Sequence, residues 1–328
     1  MKKKAIVLIS GGLDSILAAR LVMEQGFHVI GIYFTSAFSK SYGREQDTPA
    51  YKLCTAQGID LRVIDMGIEY IDMVRNPRHG YGKNMNPCID CKIFMLARAR
   101  SVMEAEDAAF IATGEVLGQR PMSQRRDTLH VIERCSGLSG MVLRPLSARL
   151  LPPTRPEQDG VVDRERLLDV SGRSRAVQLR LAGRFGIKGF STPAGGCLLT
   201  DENFSTRIRD LFATQKHITT TDIRLLTIGR HFRLESGIKV VLGRNEGENH
   251  ILASLTGPGY PLFTPVGFPG PAAVCVGRPS HNDKQAVLRL IQKYSKPVPG
   301  GKTAVSMSGE VISFEADENA LEAPIPIR

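Results

Sequence analysis

The stretch Ser10-Gly11-Gly12-Leu13-Asp14-Ser15 constrains this chain more than any other. It follows Ala5-Ile6-Val7-Leu8-Ile9, an apolar run of the kind that forms a buried strand, and it precedes a segment with helical spacing. A strand, a glycine turn and a helix N-terminus in succession make an anion site, because unpaired N–H groups and the helix dipole converge on one point. Gly11 and Gly12 permit close backbone approach to a phosphate, and Ser10 and Ser15 add hydroxyl donors. Asp14 has the wrong charge for such a nest unless a cation bridges it to the ligand. No Lys stands where a Walker A loop needs one, which excludes the P-loop pattern.

The residues around this loop set the fold class. Runs rich in Val, Ile or Phe predict strands at 4–9, 28–34, 60–65, 109–113 and 141–144. Helices are expected from near Asp14 to Gly26, over 46–57, and from Asp90 to Glu106. This alternation predicts an α/β fold with a doubly wound parallel sheet and ligands at the carboxyl ends of its strands. Beyond 150, Pro152, Pro153 and Pro156 interrupt regular structure, and 164–188 is dense in arginine. Helical spacing resumes over 201–213 and 220–228. From 231 the pattern is short strands and turns around a Gly/Pro-rich segment, 257–271, with one helix at 282–294. That pattern predicts a smaller α+β domain. The expected organisation is 1–165, an Arg-rich connector 166–230 carrying Cys197, and 231–328.

Composition narrows the class of partner. At 328 residues the chain exceeds one ordinary core, and 42% hydrophobic with 23% charged residues is a globular balance. No apolar run approaches bilayer length, and the run after Met1-Lys2-Lys3-Lys4 is too short for a secretory signal, so a cytoplasmic location is expected. A net charge of +10 predicts a polyanionic partner such as RNA or DNA.

Six cysteines in a cytosolic chain of this size do not make a disulfide scaffold. Cys88 and Cys91 lie three apart at an expected helix start, where thiols are ordinarily more acidic. The spacing suits zinc, an iron–sulfur cluster or a redox pair. Cys197, next to Gly195-Gly196, is a candidate third member. Three ligands without a fourth argue against a closed structural zinc site and leave one position open. No histidine has ligand spacing from any of them. Cys54 and Cys275 are expected in the core, and Cys135 lacks a partner.

Phe34 and Thr35 close the second strand, where such folds hold a nucleotide base. Ala112-Thr113-Gly114-Glu115-Val116-Leu117-Gly118-Gln119 closes another, with Ser123-Gln124 soon after. Gly114 and Gly118 allow close approach to a ligand, and Gln119 and Gln124 are uncharged donors. Arg120, Arg125 and Arg126 face either phosphates or solvent.

Several of these motifs resemble known families. Ser-Gly-Gly-x-Asp-Ser resembles the pyrophosphate (PP) loop of the N-type ATP pyrophosphatases, which adenylate a substrate and release pyrophosphate. The segment from Thr113 to Gln124, with Val142-Leu143-Arg144-Pro145-Leu146, is similar to the ATPase domain of the tRNA 4-thiouridine synthetases. Asn86-Pro87-Cys88 resembles the cysteine motif of the tRNA 2-thiouridylases. Together these motifs span residues 5–150. Residues 238–276, with Leu242-Gly243-Arg244-Asn245-Glu246-Gly247-Glu248-Asn249, resemble the RNA-binding module of the NFACT proteins, and Arg244, Asn245 and Asn249 are expected in a turn between strands.

The resemblance implies ATP-dependent thiolation of a tRNA uridine. ATP and Mg2+ would be held by Ser10, Gly11, Gly12, Asp14, Ser15, Phe34, Thr113, Gly114 and Gln119. Catalytic roles would fall to Cys88, Cys197 and Asp14. Some members hold a [4Fe-4S] cluster with three cysteines, which matches Cys88, Cys91 and Cys197; a persulfide on Cys88 or Cys197 is the rival chemistry. Arg173, Arg175 and Arg180, with Arg244, Asn245 and Asn249, would grip tRNA. The sulfur donor would be inorganic sulfide or a cysteine desulfurase, and a homodimer stays open. The chain departs from the 4-thiouridine synthetases in lacking RNA-binding domains ahead of the loop and a rhodanese domain after it. An amidotransferase-type synthetase and a non-catalytic RNA-binding factor are the competing readings.

Overall fold

The structure is a computed structural model that describes residues 3–39, 41–190, 197–296, 302–307, 309–315 and 326–327. The chain separates into two compact units, Met1–Thr200 and Asp201–Arg328.

In the first unit, β1 (Lys4–Ile9), β2 (His28–Thr35), β3 (Asp60–Asp65), β4 (Ile111–Thr113) and β5 (Val142–Leu143) form one parallel sheet in the order β3-β2-β1-β4-β5. The connecting helices are α1 (Leu13–Glu24), α2 (Pro49–Ala56), α3 (Gly67–Arg75), α4 (Cys88–Ala105) and α5 (Arg126–Cys135). After β5 come a single turn, α6 (Arg155–Gln158), and α7 (Ala176–Arg184). The near-continuous apolar strands are explained by burial on both faces. Ala5, Val7 and Ile9 pack with Leu13, Ile16, Leu17 and Leu53 on one side. Ile6, Ile30, Ile32 and Ile111 pack with Leu96, Ala99 and Ile132 on the other. Leu167, Val170, Ala182 and Ile187 join the α1 side, so residues after 166 complete this core.

The order in which strands are added reverses between β1 and β4, while the strands themselves stay parallel. Chains leaving these neighbours run to opposite faces and open a crevice at their carboxyl ends, the place where open α/β sheets bind ligands.

The second unit begins with α8 (Glu202–Thr214) and α9 (Thr220–Leu226). Its antiparallel sheet comprises β6 (Arg230–Arg233), β7 (Lys239–Leu242), β8 (Leu262–Val266), β9 (Ala273–Val276), β10 (Lys302–Met307) and β11 (Glu310–Glu315), in the order β11-β10-β8-β9-β7-β6. Between strands lie α10 (Glu246–Ser254) and α11 (His281–Lys293). Val240, Leu242, Phe263, Ala273 and Cys275 pack with Val287, Leu288 and Ile291. Val241 and Val274 face Leu225, Leu252 and Leu255 on the opposite side.

Two expectations need correction here. The segment around Arg244–Asn249 is a helix start rather than a turn between strands. Asn245 caps α10, its Oδ1 accepting from the Glu248 N–H at 3.0 Å, and Asn249 lies inside the helix. The Gly/Pro-rich segment contains a strand, β8, despite Pro265. Pairing with β9 covers only Leu262 and Phe263, so that ladder has ended before it would need the missing Pro265 N–H.

Candidate active site

A cavity of about 980 Å³ lies at the carboxyl edge of the first sheet. Its floor is the loop after β1. Gly11 has φ +80, and a Cβ there would come within 3.2 Å of the Ala50 Cβ, so backbone and space both demand glycine. Gly12 is the N-cap residue of α1 and no side chain caps the helix, which leaves its first N–H groups for an anion. Ser15 Oγ donates to the Gly12 carbonyl at 2.8 Å and accepts from the Ser10 N–H at 3.2 Å, bracing the loop from inside.

The loop after β4 forms the adjoining wall. A Cβ on Gly114 would sit 2.4 Å from the Ser15 nitrogen and 2.5 Å from the Asp14 carbonyl carbon. The close approach expected of Gly114 is therefore made to the phosphate-loop backbone itself, although Gly114 also lines the cavity. Gln119 Nε2 donates to Asp14 Oδ2 at 2.9 Å and ties the two loops together. Asp14 Oδ1 is buried without a hydrogen-bond partner among the described residues. An orphaned carboxylate oxygen beside a phosphate loop is the hard donor that Mg2+ takes, and it fits the cation inferred from the motif.

Behind this wall is a buried charge network. Glu115 pairs with Lys92 at 2.6 Å and with Arg144 at 3.1 Å, and Arg144 also pairs with Glu133. Burial alone would raise the Glu115 carboxyl, but the Lys92 and Arg144 charges outweigh it and hold it at about 2. Thr113 is buried and donates to Glu115 Oε2 at 3.1 Å, so it supports the network and does not face the cavity.

The thiols occupy the far wall. Cys88 is the first residue of α4, and Asn86 Nδ2 donates to its sulfur at 3.1 Å. Cys91 Sγ shares a 3.2 Å hydrogen bond with the buried Tyr70 hydroxyl. Burial pushes the Cys91 thiol up to about 11 against that bond, and the Cys197 and Cys88 sulfurs push in the same direction. Cys197 is exposed as a residue; enclosure of its sulfur raises its thiol, while the Leu199 N–H and the Arg120 charge pull it down. All three cysteines line the same cavity as Ser10–Ser15. Among the described residues, no group of three Cys, His, Asp or Glu side chains is arranged as a metal site. The donor chemistry nonetheless suits an iron–sulfur cluster: three soft sulfurs, and no imidazole beside them in the cavity wall. Gly195 and Gly196, expected to position Cys197, lie outside the described residues.

Other expected residues fall elsewhere. Phe34 shares the parity of Ile30 and Ile32 and packs in the α4–α5 layer, so the cavity contact from β2 is Tyr33. Arg173 and Arg175 line the cavity mouth, whereas Arg180 is exposed on α7 outside it. In the second unit, Arg244 Nη2 donates to the Gly229 carbonyl at 2.7 Å, and Asn249 bridges Ala272 N and Gly270 O at 3.0 and 3.3 Å. These polar groups are occupied within the fold. Cys54 and Cys275 are buried in α2 and β9, and burial pushes both thiols up to about 12. Sequence reasoning missed Lys92, Tyr70 and Arg44. Lys92 lies four residues after Cys88, one helical turn on, which is a signal that could have found it.

Residues 1–149 match the family model described as thiamine biosynthesis protein (ThiI), and residues 229–319 match the NFACT protein RNA binding domain. The N-terminal domain is a ThiI-type PP-loop domain. The match at 229–319 makes the second an NFACT-type domain. The PP-loop domain is also similar to the tRNA-specific 2-thiouridylases MnmA of Proteus mirabilis, 31% identical over 147 residues, and of Idiomarina loihiensis, 36% identical over 141 residues. These alignments cover 40% and 38% of this chain but only 39% and 35% of the relatives, so the chain spans well under half their length. Among solved structures, a 4-thiouridine synthetase–RNA complex with bound ATP aligns at 25% identity and TM-score 0.36, covering 44% of this chain and 37% of the other. The C-terminal part of a Streptococcus suis fibronectin/fibrinogen-binding protein aligns at 11% identity and TM-score 0.26, over 45% of this chain and 71% of the other. No helix among the described residues is long and apolar enough to cross a membrane.

Proposed function

We propose that this chain is an ATP-dependent tRNA sulfurtransferase that adenylates a uridine carbonyl and lets sulfur replace its oxygen. One observation carries the reading: a phosphate-binding loop and three cysteines line a single cavity. Phosphate splitting and sulfur chemistry need a shared space only if one prepares a carbon for the other. The names of the matched relatives, tRNA-specific 2-thiouridylases, support the same reaction class.

The uncapped start of α1, with Ser10 and Ser15, would bind the β- and γ-phosphates, and Asp14 would hold the Mg2+ that offsets their charge. The uridine oxygen then attacks the α-phosphate and pyrophosphate leaves. Adenylation turns a poor leaving oxygen into AMP, so a sulfur nucleophile can complete the exchange. Lys92, fixed by Glu115, adds positive charge at the cavity wall while the phosphate bond breaks. Cys88, Cys91 and Cys197 would hold a [4Fe-4S] cluster, whose fourth iron supplies an open position for sulfide. A second reading, favoured by the Asn86 amide directed at Cys88, gives that cysteine a persulfide which Cys197 resolves as a disulfide. The sulfur donor is sulfide in the first case and a cysteine desulfurase in the second. The NFACT-type domain would hold tRNA.

The test is purification without oxygen, followed by iron and acid-labile sulfide content, AMP and pyrophosphate release, and nucleoside analysis of tRNA. One thiolated uridine per AMP is expected, and loss of that nucleoside but not of pyrophosphate release in Cys197→Ala. ATP cleavage without any thiolated nucleoside would overturn the reading. An iron-free, active wild type would select the persulfide route.

A further inference from the structure

The cavity mouth carries four arginines, Arg44, Arg120, Arg173 and Arg175. Their guanidinium groups make no ion pair or hydrogen bond with any described residue. Eight other arginines of this unit, Arg62, Arg98, Arg100, Arg125, Arg144, Arg149, Arg164 and Arg184, pair with carboxylates; what sets these four apart from the remaining unpaired ones is that they line one cavity. Three of the four share one rim. The Gly172 N–H donates to the Leu117 carbonyl at 2.8 Å, and Leu117 bridges Ser171, which fixes the chain bearing Arg173 and Arg175 beside the one bearing Arg120. Arg120, Arg173 and Arg175 line the same cavity as Cys197, and the Arg120 charge pulls the Cys197 thiol down. Arg44 stands apart, between β2 and α2.

We infer that the Arg120–Arg173–Arg175 rim is a docking surface for the RNA backbone, taking phosphates that flank the reacting nucleotide so that its base lies between the PP-loop and Cys197. The inference rests on the proposed sulfurtransferase function and adds the route by which the polynucleotide enters. Free guanidinium groups match phosphate oxygens in pairs, and no carboxylate among the described residues pairs with them. A protein partner fits less well. Docking of that kind is anchored by aromatic or aliphatic side chains, and none of the exposed large apolar residues lines this cavity.

The experiment measures binding of an unmodified tRNA transcript to the full chain as a function of salt. Arg120→Gln, Arg173→Gln and Arg175→Gln should each lower the magnitude of the log K against log salt slope by about 0.7 to 0.9. The triple variant should lower it by about 2 or more, with unfolding midpoints unchanged. Arg134→Gln, an exposed arginine at the far end of α5, is the charge-matched control and should leave the slope alone. If the wild type thiolates tRNA and the rim variants keep its slope, the docking surface is wrong and the function stands. If the wild type forms AMP but no thiolated nucleoside, the function falls and the rim with it. If the variants keep the tRNA slope but lose activity only with desulfurase-bound sulfur, and not with free sulfide, the rim docks an acidic protein and the inference is overturned.

Discussion

Gly114→Ala isolates the geometry on which the site depends. Gly114 has no need of a positive φ, so the substitution tests space alone. The new methyl would lie 2.4 Å from the Ser15 nitrogen, 2.5 Å from the Asp14 carbonyl carbon and 2.6 Å from its oxygen. Ordinary contact begins near 3.5 Å, so the β4 loop and the start of α1 must separate by about 1 Å. All three clashing atoms are backbone, so no side chain can swing aside to relieve them. Nor can α1 slide as a body, because Leu13, Ile16 and Leu17 are fully buried. Overpacking of this kind costs about 1–3 kcal/mol. Moving the phosphate-binding N–H groups by about 1 Å is enough to lower kcat/KM for ATP by roughly 100-fold. The assay is AMP and pyrophosphate formation against ATP concentration, paired with urea unfolding. Gly183→Ala is the control. It sits in α7 with nothing within 4 Å of the added methyl, and it should stabilise the protein by up to about 1 kcal/mol with unchanged turnover. Wild-type KM and stability in Gly114→Ala would refute the claim that this contact sets the loop.

Three further predictions concern the supports of the site and of the second unit. Glu115→Gln leaves Arg144, only 4% exposed, short of one counter-charge and removes the partner of Lys92, which should cost about 3–5 kcal/mol in urea unfolding. Because the folded Glu115 carboxyl is held at about 2, below its ordinary 4.5, its contribution is complete above the ordinary value and fades as pH falls toward 2. The stability difference between wild type and variant should therefore shrink between pH 4.5 and 2, and a difference that stays flat would count against the ion pairs. Asn245→Ala should lose about 0.5–2 kcal/mol of stability through its cap while leaving the affinity for RNA intact under conditions where the variant is folded; a weakened affinity would return Asn245 to the RNA surface. Alkylation of the native, iron-free protein should mark exposed Cys135 and spare Cys54 and Cys275, whose thiols burial holds at about 12, as read by peptide mass spectrometry.

Much of the first unit was legible because its signals are local and redundant. Each of its five strands falls where apolar runs predicted, and α4 begins at Cys88, two residues ahead of the start expected at Asp90. What escaped were features set by parity and by distant partners. Phe34 was assigned to the nucleotide by its place at a strand end, yet strand periodicity already put it with Ile30 and Ile32, away from the loop. Gly114 was read as room for a ligand, because a sequence cannot tell an approaching ligand from an approaching backbone. The helices α3, α5 and α7 were missed where charged residues dilute the apolar stripe, as in Arg126–Cys135, where among the helical residues only Leu129 and Ile132 are buried. In the second unit the Gly247 that follows Asn245 disguised a helix start as a turn.

The convergence of thiols and phosphate loop follows from where each sits in the winding. The loop after β1 must lie at the carboxyl edge, because that is where a strand hands over to a helix. The loop after β4 must adjoin it, because β4 is the next strand across the switch point. The CxxC pair starts α4, the helix that leads into β4 and packs beneath β1 and β2 in the layer of Ile6 and Ile30. Its N-terminus therefore points up at the same edge as the N-terminus of α1. Cys197 is brought in separately, since Met85 N–H donates to the Leu199 carbonyl at 3.1 Å and Asn84 Nδ2 to the Thr200 carbonyl at 2.8 Å, pinning residues 197–200 to the segment just ahead of Cys88. Those two bonds make a distinct demand. Asn84 has φ 57, a left-handed conformation that Asn tolerates better than most residues, and its amide is a side-chain tie between the two cysteine-bearing segments. Asn84→Ala would remove the tie and strain the backbone, loosening Cys197 while leaving Ser10–Ser15 in place. Adenylation should survive and sulfur transfer should fall, so pyrophosphate release would outrun thiolated uridine.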